Sequence, residues 1–439
     1  MVGRLVRDEK VVSSNLAIPT NINRKFSDEL SVFLYVKKHF PRPYDTGISK
    51  HQKCIEDKGD NMGVIESKKK LGFGMMRLPK LAEETGELDN VDLKQVKEMV
   101  DTFIQRGFTY FDTAWMYHNR NSEQIVKLAL TDRYSHDQYT LATKYHLAYQ
   151  KDGTPEEVFL GQLERCGVEY FDYYLLHDMG HDNYEKFQEC GAFDMVMKMK
   201  AEGKIRHVGF SCHDKSDFLD KVLTEHPELE FVQIQLNYLD WESAGIQAHA
   251  AYDTITKHGK PVIVMEPVKG GMLANRIPEE VEKAFKAYDP ALSVPSWAVR
   301  FAASHDNVAV VLSGMSNMEQ LLDNTGYMQD FKPLDEKELE LIQHAVKKIN
   351  EGIEIQCTGC SYCTPGCPMN IPIPEYFSLY NADKNEARTD WTTQREFYNR
   401  TTTHESKASD CIGCGQCEGI CPQHLPIIEN LKKVAAHFE

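Results

Sequence analysis

"LGFGMMRLPKLAEETGELDNVDLKQVKEMVDTFIQRGFTYFDTA", Leu71–Ala114, holds two short apolar runs separated by one amphipathic segment. The runs Leu71–Met76 and Thr109–Thr113 have the length and composition of buried strands. Between them Val96, Met99, Val100 and Phe103 recur at spacings of three and four, which puts them on one face of a helix. Gly107 stands where a helix end takes a left-handed residue. Strand, helix, strand is the unit from which parallel sheets are built. The unit repeats. Further strand-like runs are Tyr139–Lys144, Phe171–His177, Ile205–Ser211, Phe231–Asn237, Pro261–Glu266 and Val308–Gly314, with helical patterns between them. One of these, "TPEEVFLGQLERCG" (Thr154–Gly167), opens with a cap residue and a first-turn proline ahead of Val158, Leu160 and Leu163. Strands alternating with helices in this way predict an α/β fold, a parallel sheet closed into a (β/α)8 TIM barrel. An open doubly wound sheet is the alternative, but no strand is followed by G-x-G-x-x-G.

On this reading the barrel occupies residues 62–335, and Glu336–Asn350 is a helix inside a connecting segment, 336–354. Residues 1–61 carry no sustained period and read as an unstructured extension or, with Met62 as the true start, as a mis-called beginning. A hydrophobic fraction of 41% and a charged fraction of 26% are those of a soluble globular chain, and no apolar run approaches bilayer-spanning length. The first residues lack the apolar stretch of a secretory signal, so a cytoplasmic, reducing location is expected. There, cysteines bind metals or clusters more readily than they form disulfides. The net charge of −16, with no basic run larger than Lys68–Lys70, argues against a nucleic-acid partner. No membrane partner is expected either.

Eight of the 12 cysteines fall in two runs, "CTGCSYCTPGCP" (Cys357–Pro368) and "CIGCGQCEGICP" (Cys411–Pro422). Each reads C-x-x-C-x-x-C-x-x-x-C-P, the ligand pattern of bacterial two-cluster ferredoxins. Three thiolates at this spacing can wrap one face of an iron–sulfide cube, and the fourth ligand must come from elsewhere. A zinc ribbon is the alternative, but it needs four cysteines in all and has no use for the paired prolines. The resemblance implies a small α+β ferredoxin-like domain over 355–439 with crossed ligation of two [4Fe–4S] clusters. Cys357, Cys360, Cys363 and Cys421 would hold one cluster, and Cys411, Cys414, Cys417 and Cys367 the other. The segment between the runs, "IPEYFSLYNADKNEARTDWTTQREFYN", is longer than such a domain requires and reads as an inserted helical element. Of the other cysteines, Cys166, Cys190 and Cys212 are expected to be buried thiols.

Active sites in barrels of this kind lie at the carboxyl ends of the strands. Asp112, Lys144 and His177 end the second, third and fourth predicted strands, and Tyr117 lies in the loop after the second. Such a set suits proton-coupled hydride transfer to a carbonyl. The oxygen becomes an alkoxide and needs a proton from Tyr117, whose pKa Lys144 would lower. Asp112 would neutralise that lysine, and His177 would orient the carbonyl.

"GFTYFDTAWMYHNRNSE" (Gly107–Glu123) resembles the first signature of the aldo/keto reductases, and "LATKYHL" and "YFDYYLLH" resemble the segments that complete its catalytic tetrad. "GKIRHVGFS", "VQIQLNYLD" and "VIVMEPVKGG" are similar to the strands that follow, so the likeness runs from about Leu71 to Tyr327. With the cysteine runs, the chain resembles iron–sulfur-containing aldo/keto reductases of anaerobic microbes. The resemblance implies NAD or NADP bound without a Rossmann fold. It places Ser211, Gln235 and Asn237 at the nicotinamide, and Gly314, Ser316, Asn317, Gln320 and Asn324 around the phosphates and adenosine. Two departures stand out. His118 replaces the glycine common after the catalytic tyrosine. Gly314 and Gln320 lie where NADP-preferring members carry cations, so the choice of nucleotide stays open.

Nicotinamide moves two electrons and each cluster one, and a flavin is the usual mediator; FMN could sit near the last two strands. The expected function is NAD(P)H-linked carbonyl–alcohol interconversion coupled to electron transfer through the clusters. Its partners would be a small carbonyl substrate and a redox protein such as a ferredoxin. The alternatives are an ordinary carbonyl reductase with structural clusters and a non-catalytic redox-sensing subunit.

Overall fold

The structure, a computed structural model, describes residues 64–439 apart from 66, 68, 83–85, 358 and 387–390. The extension over 1–61 and the start at Met62 therefore lie outside the described residues. The eight strands are β1 (Leu71–Gly74), β2 (Tyr110–Asp112), β3 (Thr140–Tyr145), β4 (Phe171–Met179), β5 (Ile205–Cys212), β6 (Phe231–Gln235), β7 (Val262–Met265) and β8 (Val308–Gly314). They form a closed parallel barrel in sequence order, with Leu71 of β1 paired to Val311 of β8. All eight carboxyl ends consequently open on one face.

The barrel interior is filled. Tyr110, Ala142, Tyr173, Leu175, Phe231, Ile263, Val310 and Leu312 pack together, joined by Ile65 from just ahead of β1. The Tyr110 and Tyr173 rings lie 5.1 Å apart, and Phe231 meets Tyr173 edge-on at 5.7 Å. Burial of one such side chain contributes about 1.5–3 kcal/mol, so this interior is core rather than channel. Chemistry has to sit above it.

The first helix, Leu93–Gln105, is capped by Asp92 and buries Val96, Met99, Val100 and Phe103. Gly107 follows with φ 80. Helix Pro155–Cys166 carries a capping box between Thr154 and Glu157. Its inward face differs from the one expected, because Leu160 is 42% exposed while Phe159, Gln162 and Cys166 are buried. The reason is polar. Gln162 donates to Glu123 at 2.7 Å and to the Lys144 carbonyl at 3.0 Å, which fixes the rotation of the helix.

Helix Glu336–Glu351 leads out of the barrel. The regular elements that follow are helical, namely Ile373–Lys384, Thr393–Thr401, Ala408–Asp410, Gln416–Ile420 and Ile427–Phe438. No strand occurs among the described residues of this lobe, so the β part of the α+β expectation is replaced by helix. The two helices of the inserted segment seat the lobe on the barrel. Ser378 bonds Ser243 at 2.9 Å, and Glu375 pairs with Lys215 at 2.7 Å. Arg400, 1% exposed, donates to the Asp178 carboxylate at 2.8 Å, the Asp178 carbonyl at 3.0 Å and Asp182 at 3.1 Å. Gly180 makes room for it, since a Cβ there would come within 2.6 Å of the guanidinium. These contacts lie at the end of β4 and after β5 and β6, on the face where the carboxyl ends emerge. Among the described residues no helix is long and apolar enough to cross a membrane.

Candidate active site and cluster sites

Lys144 Nζ lies 2.5 Å from Asp112 Oδ1 and donates to the Thr113 carbonyl at 2.7 Å. Both side chains are buried. Burial draws the lysine pKa down and the aspartate pKa up, and each charge resists the other's neutralisation. Tyr117 opens the short helix Tyr117–Arg120, with its ring 5.3 Å from Lys144 Nζ and edge-on to His177 at 6.0 Å. Behind this group the buried Glu123 accepts from Thr143, Gln162 and Arg165 at 2.9, 2.7 and 2.7 Å. Burial, then the Lys144 charge, holds His177 neutral, well below the usual imidazole range.

One expectation is corrected here. The pull of the Lys144 ammonium, 5.3 Å from the ring, does not decide the net shift of the Tyr117 phenol. Burial, followed by the Asp112 carboxylate, holds it well above its ordinary pKa. The ammonium is already committed to Asp112, and a buried phenolate would add a second negative charge beside that carboxylate.

A cleft of about 950 Å³ brings Asp112, Tyr117 and His177 together with Gly314, Ser316, Gln320 and Asn324. Lys144 lies beneath its floor. Ser211 accepts from the Asp178 amide at 2.8 Å and is not on the cleft wall. Nor are Gln235 and Asn237, which donate to Asp240 at 2.5 and 2.7 Å. Gln233, one alternation earlier on β6, lines the cleft in their place. Asn317 is the N-cap of helix Met318–Met328, accepting from the Gln320 amide at 2.9 Å. Gln320 accepts from the Ser316 amide at 2.7 Å, and Asn324 donates to Ser313 at 2.8 Å.

The wall fits a phosphate-bearing nucleotide beside Gly314. A Cβ at Gly314 would lie 3.2 Å from the Arg77 side chain, and Arg77 Nη2 is buried without a hydrogen-bond partner among the described residues. Arg77, on the cleft, supplies a cation from the β1 loop rather than from β8, and Lys80 beside it is paired with Asp89. His118 has φ 52 and its Nε2 meets the Met75 carbonyl at 2.8 Å. That left-handed backbone explains why glycine suits the position.

Two apolar-walled cavities organise the cysteines. One is lined by Cys357, Cys360, Cys363 and Cys421, the other by Cys411, Cys414, Cys417 and Cys367. Each thus takes three thiols from one run and one from the other, and Ile373 stands in the wall of both. Four soft sulfur donors around an apolar void fit an iron–sulfide cube. Among the described residues no trio of His, Cys, Asp or Glu converges on a single-ion site.

The sequence model of the aldo/keto reductase family matches residues 70–347. The chain belongs to that family. A 4Fe-4S dicluster domain matches residues 356–425, so this is an iron–sulfur oxidoreductase of the aldo/keto reductase family. An aldo-keto reductase of Mycobacterium sp. (strain MCS) is 23% identical over 265 residues, covering 59% of this chain and 84% of that protein. One component of an ion-translocating oxidoreductase complex from Buchnera aphidicola subsp. Acyrthosiphon pisum (strain APS) is 32% identical over 84 residues, 19% of this chain and 15% of that component. Among solved structures, an aldo-keto reductase from Klebsiella pneumoniae in complex with NADPH aligns with a TM-score of 0.51 at 21% identity. It covers 63% of this chain and 90% of its own, a likeness of fold.

Several cleft residues escaped the sequence reading. Gln233 shares the two-residue period of Gln235, so the strand pattern pointed at both. Arg77 and His146 stand just beyond strand ends. Trp391, in the inserted segment, also lines the cleft, and no local pattern announces it.

Proposed function

We propose that this chain reduces a small-molecule carbonyl with NADPH or NADH, and that its two [4Fe–4S] clusters exchange electrons with the nicotinamide through a flavin such as FMN, which takes up a hydride and passes its two electrons on one at a time. The observation that carries the reading is Tyr117, set over the Lys144 ammonium at 5.3 Å and edge-on to His177 at 6.0 Å on an open cleft. The NADPH in the Klebsiella pneumoniae structure supports nicotinamide as the bound group. When bound, a reduced nicotinamide supplies a hydride and each cluster a single electron. Arg77 would hold the phosphates, with Gln233 beside the ring. Tyr117, kept protonated by burial, gives its phenolic proton to the carbonyl oxygen as negative charge develops there. His177, neutral, donates one hydrogen bond that orients the same oxygen. Lys144, fixed by Asp112, then stabilises the phenolate left behind. The crossed thiol sets would hold the clusters, with Cys421 and Cys367 as the exchanged ligands.

Anaerobically purified protein, with iron, sulfide and flavin quantified, tests this directly. Tyr117→Phe should lower carbonyl reduction about 10²–10⁴-fold while nucleotide binding persists. An unchanged rate would remove Tyr117 from the chemistry. Cluster absorbance that fails to respond to added NADP⁺ or NAD⁺ after reduction would favour purely structural clusters.

A further inference from the structure

Of the four imidazoles that line the cleft, three, those of His146, His177 and His213, stand near one another where the tetrad supplies one. His177 is flanked by His146, its ring centroid 5.5 Å away, and by His213 just beyond β5. His213 is 9% exposed, and its buried Nδ1 has no hydrogen-bond partner among the described residues. Trp391, which the lobe brings to the cleft, meets the His213 ring edge-on at 5.7 Å, and Phe397 does so at 6.5 Å. Barrel and lobe each build half of this corner.

Its charge decides what it can hold. Burial and the nearby Arg400 charge keep His213 neutral, with its pKa down at about 4, and burial lowers His146 as well. The His146 Nδ1 lone pair accepts from the Ala148 amide at 3.0 Å, which leaves its Nε2–H to donate, and the neutral His213 ring has one N–H and one lone pair. Asp178, also on the cleft, is held ionised near 2 by Arg400, the largest influence opposing its burial. Arg400 is no free cation, because Asp178, Asp182 and Glu396 all pair with it. An anionic substituent here would face Asp178 without compensation. A neutral hydroxyl, which both donates and accepts, matches the imidazoles.

We propose that His146, His213 and Trp391 form a subsite for a hydroxyl on the carbon next to the reacting carbonyl, so that the substrates are neutral hydroxy-aldehydes or hydroxy-ketones. The proposal rests on the carbonyl-reductase reading and extends it to the substrate class. It also gives the cluster lobe a part in substrate selection.

The test compares 2-hydroxypropanal with propanal, two aldehydes that differ by one hydroxyl, on the full-length, cluster-loaded protein with NADPH and NADH. Wild-type kcat/KM should favour the hydroxylated aldehyde at least about tenfold, as expected for a site built around a hydroxyl. His213→Leu should cut that ratio about tenfold. His213→Gln, which keeps a donor and an acceptor, should restore most of it, and Trp391→Leu should lower it about threefold. A wild-type ratio near one overturns the subsite. So does a His213→Leu variant, with cluster absorbance and circular dichroism matching wild type, that slows both aldehydes equally. Reduction of neither aldehyde by the wild type overturns the reductase reading itself, and the subsite with it.

Discussion

Two buried lysine–aspartate pairs stand in this barrel, each with 2.5 Å between nitrogen and oxygen: Lys144–Asp112 and Lys269–Asp240. By distance and burial they are twins. Their surroundings differ. Asp240 receives Lys269 on one oxygen, and Gln235 and Asn237 on the other. Asp112 has one oxygen bonded to Lys144 and the other, Oδ2, buried without a hydrogen-bond partner among the described residues. Lys144 also leans toward the Tyr117 ring, at the floor of the cleft. A saturated pair fixes loops, whereas an unsaturated one beside a cavity keeps interactions in reserve for a reacting group. The loop held by the saturated pair carries two left-handed residues, Lys269 at φ 49 and Glu266 at φ 54. The Asp240 network holds that loop, with Asn237 also donating to the Glu266 carbonyl at 3.1 Å.

The most direct challenge to this contrast is to remove the same atom from both pairs. Lys144→Met should reduce turnover about 10²–10⁴-fold, measured as steady-state kcat at saturating aldehyde, because Tyr117 loses the cation that stabilises its anion. Full activity in this variant would make the pair structural and the twins true twins. Lys269→Met should act on stability instead. Removing one partner of a buried pair costs about 3–5 kcal/mol, read from denaturant midpoints, and the folded fraction should turn over at nearly the wild-type rate. A loss of kcat on the scale of Lys144→Met would erase the distinction drawn between the two pairs.

This contrast also marks how far the sequence could be read. All eight strands were legible to within a few residues, because a parallel sheet covered on both faces writes itself as apolar runs. Asp112, Lys144 and His177 were legible as strand ends. Gln235 and Asn237 lie off the cleft wall for a physical reason. Polar residues at the end of a barrel strand can face the cleft or serve a neighbouring carboxylate, and Asp240, a few residues on, claimed both. Leu160 was assigned to a buried face by its apolarity, while the helix is rotated by the demand of Gln162 for Glu123. Trp391 and Arg400 were out of reach altogether. Their roles arise from docking the inserted segment onto Asp178, Asp182 and His213, which lie far away in sequence. Local patterns record faces and caps, and they do not record which loop a distant helix will cover.

The smallest expected effect is also the most specific. In the wild type, burial and the Asp112 carboxylate hold the Tyr117 phenol well above its ordinary pKa. The proton donor is therefore present throughout the range below pH 10, and the rate of carbonyl reduction should not fall between pH 7 and 10 on account of Tyr117. Asp112→Asn removes that carboxylate and releases Lys144 from its partner at 2.5 Å. While Lys144 holds its proton, loss of the carboxylate favours the phenolate, so the pKa of Tyr117 moves down. A proton donor is lost as pH rises through its pKa, and the variant should accordingly acquire a falling alkaline limb in its reduction rate that the wild type lacks. The reverse reaction, which needs the phenolate, should gain at the same pH. A variant profile that stays as flat as the wild type would mean that burial alone sets the phenol, and that Asp112 resembles Asp240 more closely than its unpaired oxygen suggests.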